Sequence, residues 1–250
     1  DGYIKFNNKK ILDAKLNNLS VVNFSESISQ NIDLESLKKK IHTHPKLKNA
    51  IPYVTSYYSR DWGFCMQKKD KEKLKKGKYE ILIKTSKKKG NLEYSETNLK
   101  GKSKKIFLLS TFLCHPSMAN NELSGPLTML GLYENIKSWK NKNLSYKFLI
   151  NPETIGSICF LHKNKNRIKG IIHSGTVLTC LGGKYNHLTY YKSRFSLSPL
   201  DRLMMHFEKS KKYKIYNFDP SQGGDERQFC SSDFNLPIGR FERNGKGHFK

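Results

Sequence analysis

The chain reads as an α/β protein, a mostly parallel sheet flanked by helices, preceded by a smaller β-rich accessory module. Two textures and the join between them predict this. From about Lys104 onward, short apolar or β-branched runs alternate with stretches of helical spacing, the pattern of βαβ units. Residues 1 to about 100 instead carry short strand-like runs broken by turn residues such as Asn7-Asn8, Asn17-Asn18 and Gly90-Asn91. The change falls at Lys100–Lys104, where polar residues and Gly101 precede the first core strand, so the expected modules are 1–102 and 103–250.

In the first module, Asp33 is placed to cap a turn or two carrying Leu34, Leu37 and Ile41. The aromatic-rich run Ile51 to Cys65 is expected to pack between the modules rather than to bind a ligand. The second module opens with a strand over Lys105 to Leu113. Leu127, Leu130, Tyr133, Ile136 and Trp139 then recur at helical spacing, with Pro126 near the first turn, where helices accept it. A strand over Tyr146 to Ile150, a short helix over Ile155 to Lys163 and a strand over Gly170 to Leu181 follow. Ser198-Pro199 starts a helix through Leu200, Leu203, Met204 and Phe207, and Tyr213 to Phe218 and Leu236 to Phe241 read as further strands.

A chain of 250 residues can bury a substantial core as one large domain or two small ones. Its net charge of +25 attracts polyanions non-specifically at low salt. Most of that charge is Lys, strewn through patches such as Lys68 to Lys78 and Lys84 to Lys89, whereas base-edge readers favour Arg. With no zinc-finger or RNP pattern present, the basic residues read as a solvated surface, and no specific nucleic-acid partner is expected. No apolar run approaches the roughly 20 residues of a membrane span, and the N-terminus carries no signal-peptide pattern. Cys65, Cys114, Cys159, Cys180 and Cys230 are odd in number and widely spaced, mostly within apolar runs. They read as buried thiols of a reducing cytoplasm rather than a disulfide frame or zinc ribbon.

The chemistry concentrates in Cys114-His115-Pro116-Ser117-Met118-Ala119-Asn120-Asn121-Glu122-Leu123-Ser124-Gly125-Pro126. An imidazole and a carboxylate share one loop directly after an apolar strand, a place where hydrolases build metal sites. The run Asn151-Pro152-Glu153-Thr154-Ile155-Gly156-Ser157 again sets a carboxylate just past a strand. Open α/β sheets bind ligands beyond the carboxyl ends of their strands, which makes His115, Glu122 and Glu153 candidate site residues.

Together with Gly224-Asp225-Glu226-Arg227-Gln228-Phe229-Cys230 and Asn235-Leu236-Pro237, these runs resemble a group of bacterial aminopeptidase-like proteins of unassigned function. That group is related to the zinc-dependent aminopeptidases of the leucyl aminopeptidase and glutamate carboxypeptidase type. Ile51 to Cys65 and the preceding His42-Thr43-His44-Pro45 extend the resemblance to the accessory module. It implies a hydrolase in which metal activates water and a glutamate acts as general base. His115 matches the first metal-ligand histidine and Glu153 the catalytic glutamate. Glu122 and Asp225 are further candidate ligands, and Asn121, Glu226 and Arg227 are candidate substrate contacts.

Departures from the zinc pattern matter as much. Asn121 stands where the aminopeptidases carry a bridging aspartate, Glu153-Thr154 where they carry paired glutamates, and Thr179 or Cys180 where another aspartate is expected. The implied cofactor is therefore one zinc ion rather than two, and it is absent altogether if this chain is a fragment lacking a ligand. The resemblance implies a chain incomplete at both ends, because relatives continue beyond His248 into a histidine-bearing segment that Gly245, Gly247 and Phe249 do not reproduce. Asp225-Glu226 also admits the reading of a loop-end salt bridge with Arg227. Three functions stay open: a metal-dependent hydrolase of peptide or amide bonds, a catalytically degenerate peptide- or sugar-binding protein on the same scaffold, and non-specific nucleic-acid association through the basic surface.

Overall fold

A computed structural model of the chain describes residues 1–115 and 118–243. Pro116, Ser117, and the expectations attached to Gly245, Gly247, His248 and Phe249, lie outside the described residues. Two compact units form, Asp1–Gly90 and Asn91–Lys250.

The first unit contains β1 (Gly2–Phe6), β2 (Lys9–Asp13), β3 (Ile28–Asp33), α1 (Leu34–Lys39), β4 (Ile41–His42), β5 (Phe64–Cys65), α2 (Lys68–Glu72) and β6 (Lys78–Ile83). Four of these strands make an antiparallel sheet in the order β2-β1-β6-β3. Alternation along β6 buries Tyr79, Ile81 and Ile83 on one face, against Ile4, Leu37 and Phe64. That period of two is the signature of a half-covered antiparallel strand. Asp33 caps α1 as expected, its side chain accepting from the backbone N–H of Ser36. In the aromatic run, Trp62 packs on this unit's own core while Tyr57 and Tyr58 are exposed.

The second unit contains β7 (Ser95–Leu99), β8 (Ile106–Phe112), α3 (Ser124–Ser138), β9 (Ser145–Asn151), α4 (Ile155–Ile168), β10 (Ile172–Leu178), β11 (Leu188–Tyr191), α5 (Pro199–His206), β12 (Tyr213–Tyr216), α6 (Glu226–Phe229) and β13 (Ile238–Glu242). Its seven-stranded sheet runs β12-β11-β13-β10-β8-β9-β7. The centre, β9-β8-β10-β13, is parallel throughout, while β7 and β11 join it antiparallel. The unit begins ahead of the expected Lys100–Lys104 join because Ser95–Leu99 pairs with β9 and so belongs to this sheet.

Both faces of the central strands are covered, which explains their near-continuous apolar sequence. Leu108, Leu149 and Val177 point to the side holding Phe160 and Leu161 of α4. Their neighbours Leu109, Phe148 and Leu178 point to the other side, with Met129 and Ile136 of α3. The chain steps from β8 to β9 on one side and then returns past β8 to β10, so the two crossover helices lie on opposite faces. A crevice at the carboxyl end of β8 follows from that reversal.

Two helix expectations need correction. α3 buries Gly125, Met129 and Ile136, whereas Leu127, Leu130 and Trp139 of the expected stripe are exposed. The helix starts at Ser124, and the face it packs on the sheet runs through Gly125, Met129 and Ile136. α4 runs on to Ile168, past the expected Lys163, because Ile168 still reaches the core. Ser198 caps α5 in a full capping box with Asp201, and Leu200 and Met204 face inward while Leu203 and Phe207 stay exposed.

Candidate active site

β8 ends at Phe112, and Leu113 still donates its backbone N–H to Asn151 O, 3.1 Å away, carrying the pairing to the edge of the sheet. Cys114 and His115 project just beyond. A π-helical turn, Ala119–Leu123, then leads into α3 and points Glu122 inward, leaving it 3 % exposed. Such widened turns recur at functional sites because they re-aim one side chain. This turn is tied to the segment after β10: Leu181 N–H donates to Ser124 Oγ at 2.8 Å, and Gly182 N–H to Asn120 Oδ1 at 2.8 Å.

Glu122 organises the group. One carboxylate oxygen lies 2.7 Å from His115 Nδ1, and the other accepts the backbone N–H of Cys114. Cys114 Sγ lies 3.3 Å from the same Nδ1 and accepts the backbone N–H of Glu153 at 3.3 Å. On the far side of the ring, Nε2 stands 3.7 Å from Glu153 Oε2. Contact with Cys114 and with Glu122 raises the His115 pKa to about 10 against the opposing pull of burial. Burial, reinforced by the negative charge of Asp225, raises Glu153 to about 7. A carboxyl in that range can exchange a proton near neutrality.

Leu113, Met118, Ala119 and Leu123 line a cleft of about 440 Å³ with Cys114, His115 and Glu122. Cys114, His115 and Glu122 each offer a metal-ligand atom, all within 4.8 Å of one another. Thiolate, imidazole and carboxylate are the donors zinc accepts, and three protein ligands plus an open position is its catalytic arrangement. The donor set therefore fits one ion. Cys114 was read from the sequence as a buried thiol; it is exposed, as is Cys159, while Cys65, Cys180 and Cys230 are buried.

The other predicted residues lie elsewhere in the neighbourhood. Asp225, expected as a ligand, stands outside that donor group and is fully buried, with both oxygens occupied. Oδ1 accepts from Thr154 N–H at 2.6 Å and Ser157 Oγ at 3.2 Å, and Oδ2 from Asn151 Nδ2 at 2.8 Å. The salt bridge considered for Asp225-Glu226 is not made with Arg227. Glu226 instead pairs with the buried Arg240, 3.2 Å away, which also faces Glu242 at 3.7 Å and lies over the Tyr191 ring. Arg227 donates from Nε to Gly224 O at 3.4 Å. Asn121 turns its amide nitrogen to Cys180 Sγ at 3.5 Å, and its carbonyl oxygen is buried with no hydrogen-bond partner among the described residues. The two positions where carboxylates were expected thus touch each other. Asn151, Ser157 and Gly224 were missed as site residues, although all three sit inside the quoted motifs.

Loops past the ends of parallel strands bring an imidazole and a carboxylate to the wall of one cleft, and the fold that carries them is an aminopeptidase-like α/β scaffold. The chain belongs to the family described as Domain of unknown function (DUF4910), which matches residues 14–250. It is 37 % identical over 253 residues to a Clostridium acetobutylicum protein provisionally named a polysaccharide biosynthesis protein with aminopeptidase-like domain, covering 99 % of this chain and 57 % of the relative. A crystal structure of a provisionally named peptidase from Clostridium acetobutylicum superposes with a TM-score of 0.93 at 34 % identity, over 100 % of this chain and 59 % of that one. This chain therefore spans somewhat over half the length of those relatives. A zinc aminopeptidase from Bacillus subtilis shares the fold at 10 % identity, with a TM-score of 0.61 over 99 % of this chain and 72 % of that one.

Proposed function

We propose that this chain carries the active site of a metal-dependent hydrolase acting on peptide or amide bonds. The observation that supports it best is the single cluster in which Cys114, His115 and Glu122 present three donor atoms and Glu153 faces the same imidazole. His115 and Glu122, with Cys114, would hold one zinc ion, which when bound supplies Lewis-acid polarisation of a carbonyl and a more acidic water.

The protein's own groups do the rest. Glu153, with its carboxyl poised near neutrality, takes the proton of an attacking water and returns it to the leaving nitrogen. Asn121, next to Glu122 in the π-helical turn, is the proposed substrate-orienting residue, a role that requires its side chain to turn from its buried position beside Cys180. Arg227, half-buried and bonded to Gly224 O, is the remaining proposed substrate contact, whereas Glu226, expected in the same role, is buried against Arg240 and is no substrate contact. The free thiols suit a reducing, cytoplasmic setting.

A second reading, a non-catalytic peptide- or sugar-binding protein, draws on Asn121 and Cys180 standing where the aminopeptidases carry carboxylates. Glu153→Gln separates the two. On amino-acid anilides and short peptides, the variant should keep its zinc content and lose turnover. Undiminished hydrolysis would remove Glu153 from the base role. A zinc-loaded wild type that binds peptide without cleaving it would favour the binding protein.

A further inference from the structure

Glu153 sits in an unusual piece of backbone. Thr154, the next residue, has φ +63° and ψ −67°, and Ile155 N–H donates across it to Glu153 O at 2.7 Å. This is a γ-turn of the rare, strained hand. A β-branched residue at positive φ is a genuine outlier, and such strain persists only where the surroundings over-determine it. The turn also interrupts the passage from β9 into α4, so the Glu153 side chain points back over the end of β8 instead of following the helix.

What holds the turn comes from a segment remote in sequence. Asp225, fully buried, accepts from Thr154 N–H at 2.6 Å, from Ser157 Oγ in the first turn of α4 at 3.2 Å, and from Asn151 Nδ2 at the end of β9 at 2.8 Å. One carboxylate thus ties together the residues before, within and after the turn. Its neighbour Gly224 lies against the other side of Glu153. A Cβ added there would meet Glu153 Oε1 at 3.2 Å and Phe112 Cε1 at 3.3 Å, so the carboxylate occupies space that a side chain would claim.

From this we infer that Gly224-Asp225 is the seat of Glu153: Asp225 is a positioning residue that locks the strained turn at Thr154, and Gly224 leaves room for the carboxylate. The bonds and the strain stand by themselves, whereas the consequence for turnover rests on the hydrolase reading. Asp225 is then not a metal ligand. Its replacement should move Glu153 and leave the Cys114, His115 and Glu122 donors in place.

The test uses the full chain with Asp225→Asn, which removes the charge and replaces one of the two accepting oxygens by an amide N–H. Hydrogen exchange read by mass spectrometry should quicken at Thr154 and Ile155 by about tenfold or more, the loss expected for a charge-assisted bond, while Leu149 and Phe148 in β9 keep their protection. Zinc bound per chain should be unchanged, kcat should fall about tenfold or more with KM held, and Thr154→Gly in the same chain should restore part of kcat, because glycine adopts positive φ without restraint. Gly224→Ala, which leaves every bond of Asp225 intact, should lower kcat without the change in exchange. Unchanged exchange at Thr154 and Ile155, faster exchange throughout the unit, or loss of zinc in Asp225→Asn would each overturn the inference. The local exchange change in Asp225→Asn, together with a wild type that turns over no substrate, would sustain the locked turn and reject the hydrolase reading alone.

Discussion

Gly125 in the first turn of α3 supports the sharpest stability prediction, because the close approach it permits fixes where the helix enters the sheet. A Cβ there would lie 2.1 Å from Thr111 Oγ1 and 2.6 Å from the backbone oxygen of Leu178. Those two atoms are themselves hydrogen-bonded, Thr111 donating at 2.7 Å between β8 and β10. To restore ordinary contact distances, α3 must retreat by about 1 Å or the Thr111 bond must break. Overpacking costs roughly 1–3 kcal/mol and a buried hydrogen bond about 1 kcal/mol more, so Gly125→Ala should destabilise this unit by about 3 kcal/mol. With urea slopes for such domains of about 2 kcal/mol per molar, the midpoint should fall by about 1.5 M. The assay is urea unfolding followed by fluorescence of Trp139 in a Trp62→Phe background, since the chain has one tryptophan in each unit. A midpoint shift below about 0.3 M would refute the claim that Gly125 is required by contact.

Other outcomes follow from the same packing. Ser198→Ala removes the N-cap of α5 and should cost about 1 kcal/mol, read as a lower melting temperature. Arg240→Ala leaves Glu226 and Glu242 buried without their cation and should cost roughly 3–5 kcal/mol by urea titration; a loss under about 1 kcal/mol would contradict the buried ion network. In the native protein, a maleimide should label Cys114 and Cys159 and spare Cys65, Cys180 and Cys230. Burial closes access to those three and pushes the Cys65 thiol up to about 12 and Cys230 to about 11, so little thiolate forms below pH 9. Fast native labelling of Cys65 would show that the first unit opens.

The parallel sheet was legible because its central strands are buried on both faces and so read as uninterrupted apolar runs. The same property hid boundaries: nothing in the apolar texture of α3 shows that its stripe is centred on Gly125 and Met129 rather than Leu127 and Leu130. β7 was missed because its edge position leaves Ser95–Leu99 mostly exposed and polar, so only pairing with β9 reveals it. His115, Glu122 and Glu153, singled out by their place after strands, do come together in the structure. The place of Asp225 could not be read in that way, because whether a buried carboxylate meets a metal or a set of N–H donors depends on the conformation of a loop some 71 residues away. Cys114 was discounted by residue type, as thiols at strand ends are usually buried, whereas here the chain turns outward one residue earlier.

Whether Cys114, His115 and Glu122 hold one ion, as proposed, is decided by zinc binding in equilibrium dialysis combined with thiol protection. The wild type should bind about one zinc per chain, with that zinc shielding Cys114 from maleimide while Cys159 still reacts, and His115→Ala should lose it. No bound zinc in the wild type, or equal binding in His115→Ala with Cys114 unshielded, would contradict the proposed site.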